Sequence, residues 1–185
     1  LGWLLQWYTG LWFGHTPYAS MRCEVSCREI AARLGPPWAA MVSPCVLREI
    51  DLPNGGVVFG VLALWADGDR STALAAIPAS QRDAAALFDR VTAQQDRTQT
   101  NYLWDAAHKR MTLIDHEFSN YVSPLGFERG RLFVQGRADR SLTPTEVDAV
   151  ARLRSSQTAP IRTLSRPRRW ALRIRAWRIH HQRHL

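Results

Sequence analysis

Tyr102 to Trp104 and Met111 to Ile114 are short strand-like runs, and only residues 105–110 lie between them. Parallel pairing needs a crossover of a dozen or more residues, so runs this close form an antiparallel β-hairpin, with Ala106-Ala107-His108-Lys109-Arg110 polar enough to make the turn. A hairpin centred on His108 sets Tyr102 opposite Ile114 and Asn101 opposite Asp115. Directly opposed residues share a face with Cβ atoms roughly 4.5–5.5 Å apart. At that spacing an amide oxygen and a carboxylate hold one hard cation, and Mg²⁺ is the ion those ligands favour. Asp96, five residues before Asn101, falls in the loop entering the hairpin. That position is off the cation but near it, where a base for an incoming hydroxyl belongs.

Such an arrangement needs a folded body around it. The chain has 185 residues, 46% of them apolar, enough for one domain or a small two-lobed one, and this excludes a disordered chain. All 16 acidic residues and 16 of the 24 basic ones precede position 160, so residues 1–160 sum to zero and 161–185 carry the whole net charge of +8. Only that last stretch suggests a polyanionic partner. Three cysteines do not make a disulfide framework and point to a reducing, cytoplasmic setting. The uncharged opening, Leu1 to Gly14, is too short to span a bilayer, contains Gln6 and lacks the basic region of a signal peptide. It reads as a buried hairpin of two strands, Leu4 to Tyr8 and Leu11 to Phe13.

Further along, Val25, Ile30, Ala31 and Leu34 fall at helical spacing from Cys23 to Leu34, and Gly35-Pro36-Pro37 ends that helix. Ala40 to Glu49 and Val57 to Trp65 read as strands joined by the turn 51–56, and Asp67-Gly68-Asp69-Arg70 as a second turn. Ser80 is placed to cap a helix from Gln81 to about Ala93, with Ala84, Leu87, Phe88 and Val91 on one face. Thr143-Pro144-Thr145-Glu146 is a capping box that opens a helix running to about Arg154.

An Asp, an Asn five residues on and a second Asp beyond a strand–turn–strand are the parts a kinase uses to accept a hydroxyl proton and to hold metal on nucleotide phosphates. Residues 88–103, with Asp96-Arg97-Thr98-Gln99-Thr100-Asn101, followed by Leu113-Ile114-Asp115-His116, resemble the HipA-like kinases and their phosphatidylinositol-kinase relatives. In those families an Asp-Arg loop ending in Asn precedes Leu-Ile-Asp-His-Gly. A looser likeness covers Cys23 to Pro37, where the family has a helix that begins with Glu and ends in Leu-Gly-x-Pro. The resemblance implies an α+β, protein kinase-like two-lobed fold: a reduced N-lobe over 1–65, a compact C-lobe over 66–154, and a basic tail over 155–185. It further implies Mg²⁺-dependent transfer of phosphate from ATP to a protein serine or threonine. Asp96 would be the catalytic base, Asn101 and Asp115 the metal ligands, and Glu24 the partner of the nucleotide-anchoring lysine. Arg97 and His116 would support them, and the strand Phe59 to Trp65 would lead to the adenine.

The chain departs from the family in two places. Its one lysine is Lys109, and Gln6 stands in register where the phosphate-binding lysine is expected, with Arg22, Arg28 or a residue upstream of Leu1 as substitutes. Glu117 replaces the glycine after Asp115-His116, which puts a further carboxylate beside the metal. A catalytically impaired nucleotide- or protein-binding module is therefore the alternative reading. Other features stay open. Cys23, Cys27 and Cys45 read as buried thiols rather than as a zinc set completed by His15. Trp3, Trp7, Trp12 and Trp38 are core or inter-lobe residues, or one of them stacks on adenine. Glu24 is otherwise an exposed carboxylate at a helix start. Residues 161–185, Arg-rich and interleaved with Trp170 and Trp177, are a nucleic-acid or anionic-membrane surface, a docking site for a regulatory partner, a solvated end, or a packed terminal helix.

Overall fold

The computed structural model describes residues 17–120, 132–134, 137, 140–155 and 161–183. The expected N-terminal strands, with Trp3, Gln6, Trp7, Trp12 and His15, lie outside the described residues. The described chain is mixed α+β, with five helices and two small antiparallel sheets. No helix among the described residues is long and apolar enough to cross a membrane.

Helix α1, Pro17–Leu34, starts earlier than its apolar spacing suggests. It buries Cys23, Cys27, Ile30, Ala31 and Leu34 on one stripe and ends at Gly35, whose φ of +78° suits glycine. The expected strand from Ala40 begins later. Residues Trp38–Met41 form a short helix, α2, which buries Trp38 and Met41 and lets the indole Nε1 of Trp38 donate to the Ala84 carbonyl at 2.9 Å. Strands β1, Cys45–Asp51, and β2, Val57–Ala63, then pair from Cys45↔Ala63 to Asp51↔Val57. Their loop closes through Leu52 N–H on the Gly56 carbonyl at 2.7 Å, with Gly55 at φ +80°.

After β2 the chain crosses the molecule extended, where a turn at 67–70 was expected. Asp69 and Trp104 exchange both backbone hydrogen bonds at 3.0 Å, an isolated antiparallel bridge to the central hairpin. Gly68 makes that approach possible, since a Cβ there would stand 2.9 Å from the Leu103 Cβ. Helix α3, Ala79–Thr92, is capped by no side chain and follows Pro78, which puts Ser80 inside the first turn rather than at the cap. The helix is buried almost all round from Ala84 onward and ends at Ala93 in the left-handed region.

The hairpin of β3, Tyr102–Asp105, and β4, Arg110–Leu113, forms as expected but one residue out of the expected register: Tyr102 faces Leu113, not Ile114. The turn sets the slip. Asp105 and Arg110 close a four-residue loop in which the Asp105 carboxylate accepts from the His108 N–H at 3.1 Å and Lys109 takes φ +49°. Helix α4, Pro144–Arg154, opens with the expected capping box, Thr143 Oγ1 accepting from Glu146 N–H and the Glu146 carboxylate accepting from Thr143 N–H. Arg137 adds an ion pair to Glu146 at 2.6 Å. Burial alone would raise the Glu146 carboxyl, but Arg137 and the cap donors hold it below the ordinary range.

The stretch expected as linker and basic tail contains α5, Arg166–Gln182. It is a packed helix: Leu172, Ala176 and Ile179 are buried in the common core with α1, α3 and α4, and Ala171 is buried as well. The amphipathic period was obscured because Arg175 sits on the buried face and donates from Nε to the Val91 carbonyl at 2.8 Å. Thr143→Ala should lower the unfolding free energy in urea by about 1 kcal/mol, as loss of a Thr cap does. Thr143→Ser should retain most of it.

Candidate functional site

A cleft of about 840 Å³ lies between the β1–β2 ribbon and the hairpin, with the segment Leu64 to Gly68 along its rim. The apolar walls include Val42, Val61, Ala63 and Leu113, while Glu24, Asn101 and Asp115 supply its acidic and amide groups. Three sequence-expected site residues, 24, 101 and 115, thus meet in one space although they come from α1 and from either end of the hairpin. His116 also lines the cleft. Asp96 and Glu117 do not border it: Asp96 is exposed in the loop before Asn101, and Glu117 is half-buried beyond Asp115.

Asn101 is buried, and its orientation is fixed from two sides. Its Nδ2 donates to the Asp96 carbonyl at 2.6 Å, and its Oδ1 accepts from Thr100 Oγ1 at 3.1 Å. The amide nitrogen being committed, the oxygen keeps a lone pair for a hard cation. The expected pairing of Asn101 with Asp115 is corrected by the register: Ile114 N–H bonds to the Asn101 carbonyl at 3.2 Å, so Asp115 lies one residue past the ladder. Asp115 takes φ +59°, which turns the chain there, and its carbonyl accepts from Gln94 Nε2 at 2.9 Å. It therefore still lines the cleft with Asn101. Two oxygen ligands of these types, one carboxylate and one amide, fit Mg²⁺ that completes its shell with phosphate oxygens and water.

Arg97 binds this geometry together. Its guanidinium donates from Nε and Nη2 to the Asp89 carboxylate of α3 at 2.9–3.2 Å, and from Nη1 to the Asn101 carbonyl at 2.6 Å and the Ile114 carbonyl at 2.7 Å. Both side chains of the pair are fully buried. Nη2 also lies 3.3 Å from His116 Nδ1. Arginine only donates, so Nδ1 is the acceptor and the ring proton sits on Nε2, 3.2 Å from the Leu113 carbonyl. Burial, then the Arg97 charge, hold His116 far below its ordinary pKa, so the ring is neutral and structural.

Glu24 accepts a hydrogen bond on Oε1 from the His116 N–H. Burial raises its pKa to about 7; the His116 N–H and Arg97 oppose this, and the Asp115 and Glu117 charges add to it. The arginines suggested in place of the missing lysine are engaged elsewhere. Arg22 Nε donates to the Thr163 carbonyl at 2.8 Å, and Arg28 holds the Val42 carbonyl at 2.8 Å. Gln6 lies outside the described residues. The arginine that does border the cleft is Arg70, exposed at its mouth, which the sequence placed in a turn and did not single out. Thr100, which orients Asn101, was likewise missed; its one signal was adjacency to the amide. Cys23 and Cys27 are buried free thiols and Cys45 is half-buried, and among the described residues no three His, Cys, Asp or Glu are grouped to hold a metal.

Removing one partner of the buried pair leaves a charge without compensation, so Arg97→Met should cost about 3–5 kcal/mol in urea unfolding. Glu24 gives the opposite kind of test. Its raised folded pKa means that its contribution is full below about pH 4.5 and declines as pH rises to about 7. The stability of Glu24→Gln relative to the parent should therefore increase by roughly 2–3 kcal/mol across that window and level off above it. A flat difference between pH 4.5 and 8 would remove the assignment. Compared with known proteins, the chain matches no family model, no curated protein and no solved structure.

Proposed function

We propose that this chain is an ATP-dependent phosphotransferase with a reduced kinase-like, two-lobed arrangement, the β1–β2 ribbon and α1 standing for the N-lobe. The observation that carries the reading is the convergence of Glu24, Asn101 and Asp115 on one cleft, with the Asn101 amide fastened to the backbone of Asp96. The HipA-like sequence pattern supports the same assignment of roles.

In this reading the apolar walls, Val42, Val61 and Ala63 among them, take the adenine. Trp65, Ala66 and Asp67 make no backbone hydrogen bond among the described residues, and so offer donors and acceptors to its edge. Asn101 and Asp115 would hold Mg²⁺, which would neutralise charge on the phosphates. Asp96, exposed beside them, accepts the proton of an acceptor hydroxyl as that oxygen bonds to the γ-phosphorus and the bridging β–γ oxygen leaves with ADP. The acceptor class, a protein serine or threonine, follows from the resemblance. Arg70 supplies a positive charge at the cleft, which no described lysine lines. The second reading, nucleotide binding without transfer, is favoured by one observation: Glu24, the expected partner of a lysine, instead accepts from a backbone N–H.

Titrating ATP with Mg²⁺ should raise the melting temperature, by the equivalent of about 2.7 kcal/mol at a hundredfold excess over Kd, and Asp115→Ala should abolish the rise. Arg70→Met should weaken binding about tenfold. Asp96→Asn should keep nucleotide binding and lose phosphate transfer. Binding without transfer in the parent chain establishes the second reading, and no shift at millimolar ATP overturns both.

A further inference from the structure

The outward face of α5 plays no part in the cleft, and its make-up is unusual for a packed helix. Ala171, Leu172, Ala176 and Ile179 anchor the opposite face in the core, so the outer one is held at a fixed orientation. Along it Arg166, Trp170, Arg173, Trp177 and His181 recur at steps of three and four residues, forming a single line. Trp170 is 57% and Trp177 50% exposed, with Ile174 half-buried between them and Arg169 and Arg178 on the flanks. No acidic residue follows Asp148 anywhere in the sequence, so the helix has no internal counter-charge.

We propose that this face of α5 is a peripheral docking surface for an anionic phospholipid bilayer. Charge complementarity requires a negative partner, and the two indoles, about 10.5 Å apart along the axis, narrow its shape. A convex helix flank carrying tryptophans along its centre and arginines at its margins meets a planar interface: the indoles enter at headgroup depth and the guanidinium groups stay with the phosphates. Single-stranded nucleic acid fits less well. Base stacking needs free ring faces, and one face of Trp177 is taken by the His181 ring, 4.4 Å away and tilted 34°. The inference is independent of the phosphotransfer reading.

The test is flotation of the whole chain with vesicles of phosphatidylcholine alone and of phosphatidylcholine with about 30% phosphatidylserine, alongside anisotropy titration of a labelled single-stranded oligonucleotide. The expected result is binding to the phosphatidylserine vesicles only, weakened at least about tenfold by the Trp170→Ala/Trp177→Ala pair and by added salt. Arg166→Gln/Arg173→Gln, which leaves both indoles in place, should weaken it as well. All four positions are exposed, and unchanged melting temperatures check that the variants remain folded. Equal binding to both vesicle types, vesicle binding indifferent to the tryptophan pair, or oligonucleotide binding that this pair abolishes while vesicles are ignored would each overturn the proposal.

Discussion

The Arg97 guanidinium is the point on which the rest of the molecule's polar geometry depends. One planar group bonds to a carboxylate on α3, to carbonyls on both sides of the β3–β4 hairpin, and to the ring of His116. A lysine could not replace it, because a single ammonium cannot span four partners in one plane. The pair with Asp89 is out of water, where burial pushes the carboxyl up and Arg97 pulls it back. Its value is in fixing the hairpin ends, and with them Asn101 and Asp115, relative to the central helix. The apolar core sets where α3 lies; the guanidinium sets where the loops on it end.

Glu24 links this framework to α1. It reaches the backbone of His116, the residue whose side chain Arg97 holds, so α1 and the hairpin meet through one hydrogen bond inside the cleft. Burial is the main reason Glu24 resists ionisation, and the carboxylates at 115 and 117 add repulsion that Arg97 only partly offsets. A cation or a bound cationic group would relieve the same repulsion.

Where a local rule decides the outcome, the sequence was sufficient. The capping box at Thr143, the stop at Gly35 and the apolar stripe of α1 act within one or two turns of chain, and all three were legible. The hairpin was legible as a hairpin but not in register, because a polar turn of this length closes with either four or five residues and the choice fell to Asp105 and Lys109. Tertiary contacts decided the rest. Residues 38–41 curl to bury Trp38 instead of extending, and residues 67–69 extend to meet Trp104 before the chain bends at Arg70. The C-terminal helix was hidden by a buried arginine on its inner face. The candidate site divides in the same way. Residues 101 and 115, expected from the hairpin, and residue 24, expected from the family resemblance, line one cleft, whereas Arg70 enters it through the path of a crossing segment, which no local pattern encodes.

The seating of α5 on α3 and α4, with polar ties from this part of the chain to α1, joins segments far apart in sequence. Arg22 reaches the Thr163 carbonyl, and Arg168 reaches the Cys23 thiol across 145 positions. During synthesis, which proceeds from the N-terminal end, α1 emerges with its inner stripe of Cys27, Ile30 and Leu34 complete but without its last partner. The core closes only when the segment through Ile179 has left the ribosome, so α1 carries an open apolar face until then. Loops closed over such distances also form late in refolding from denaturant.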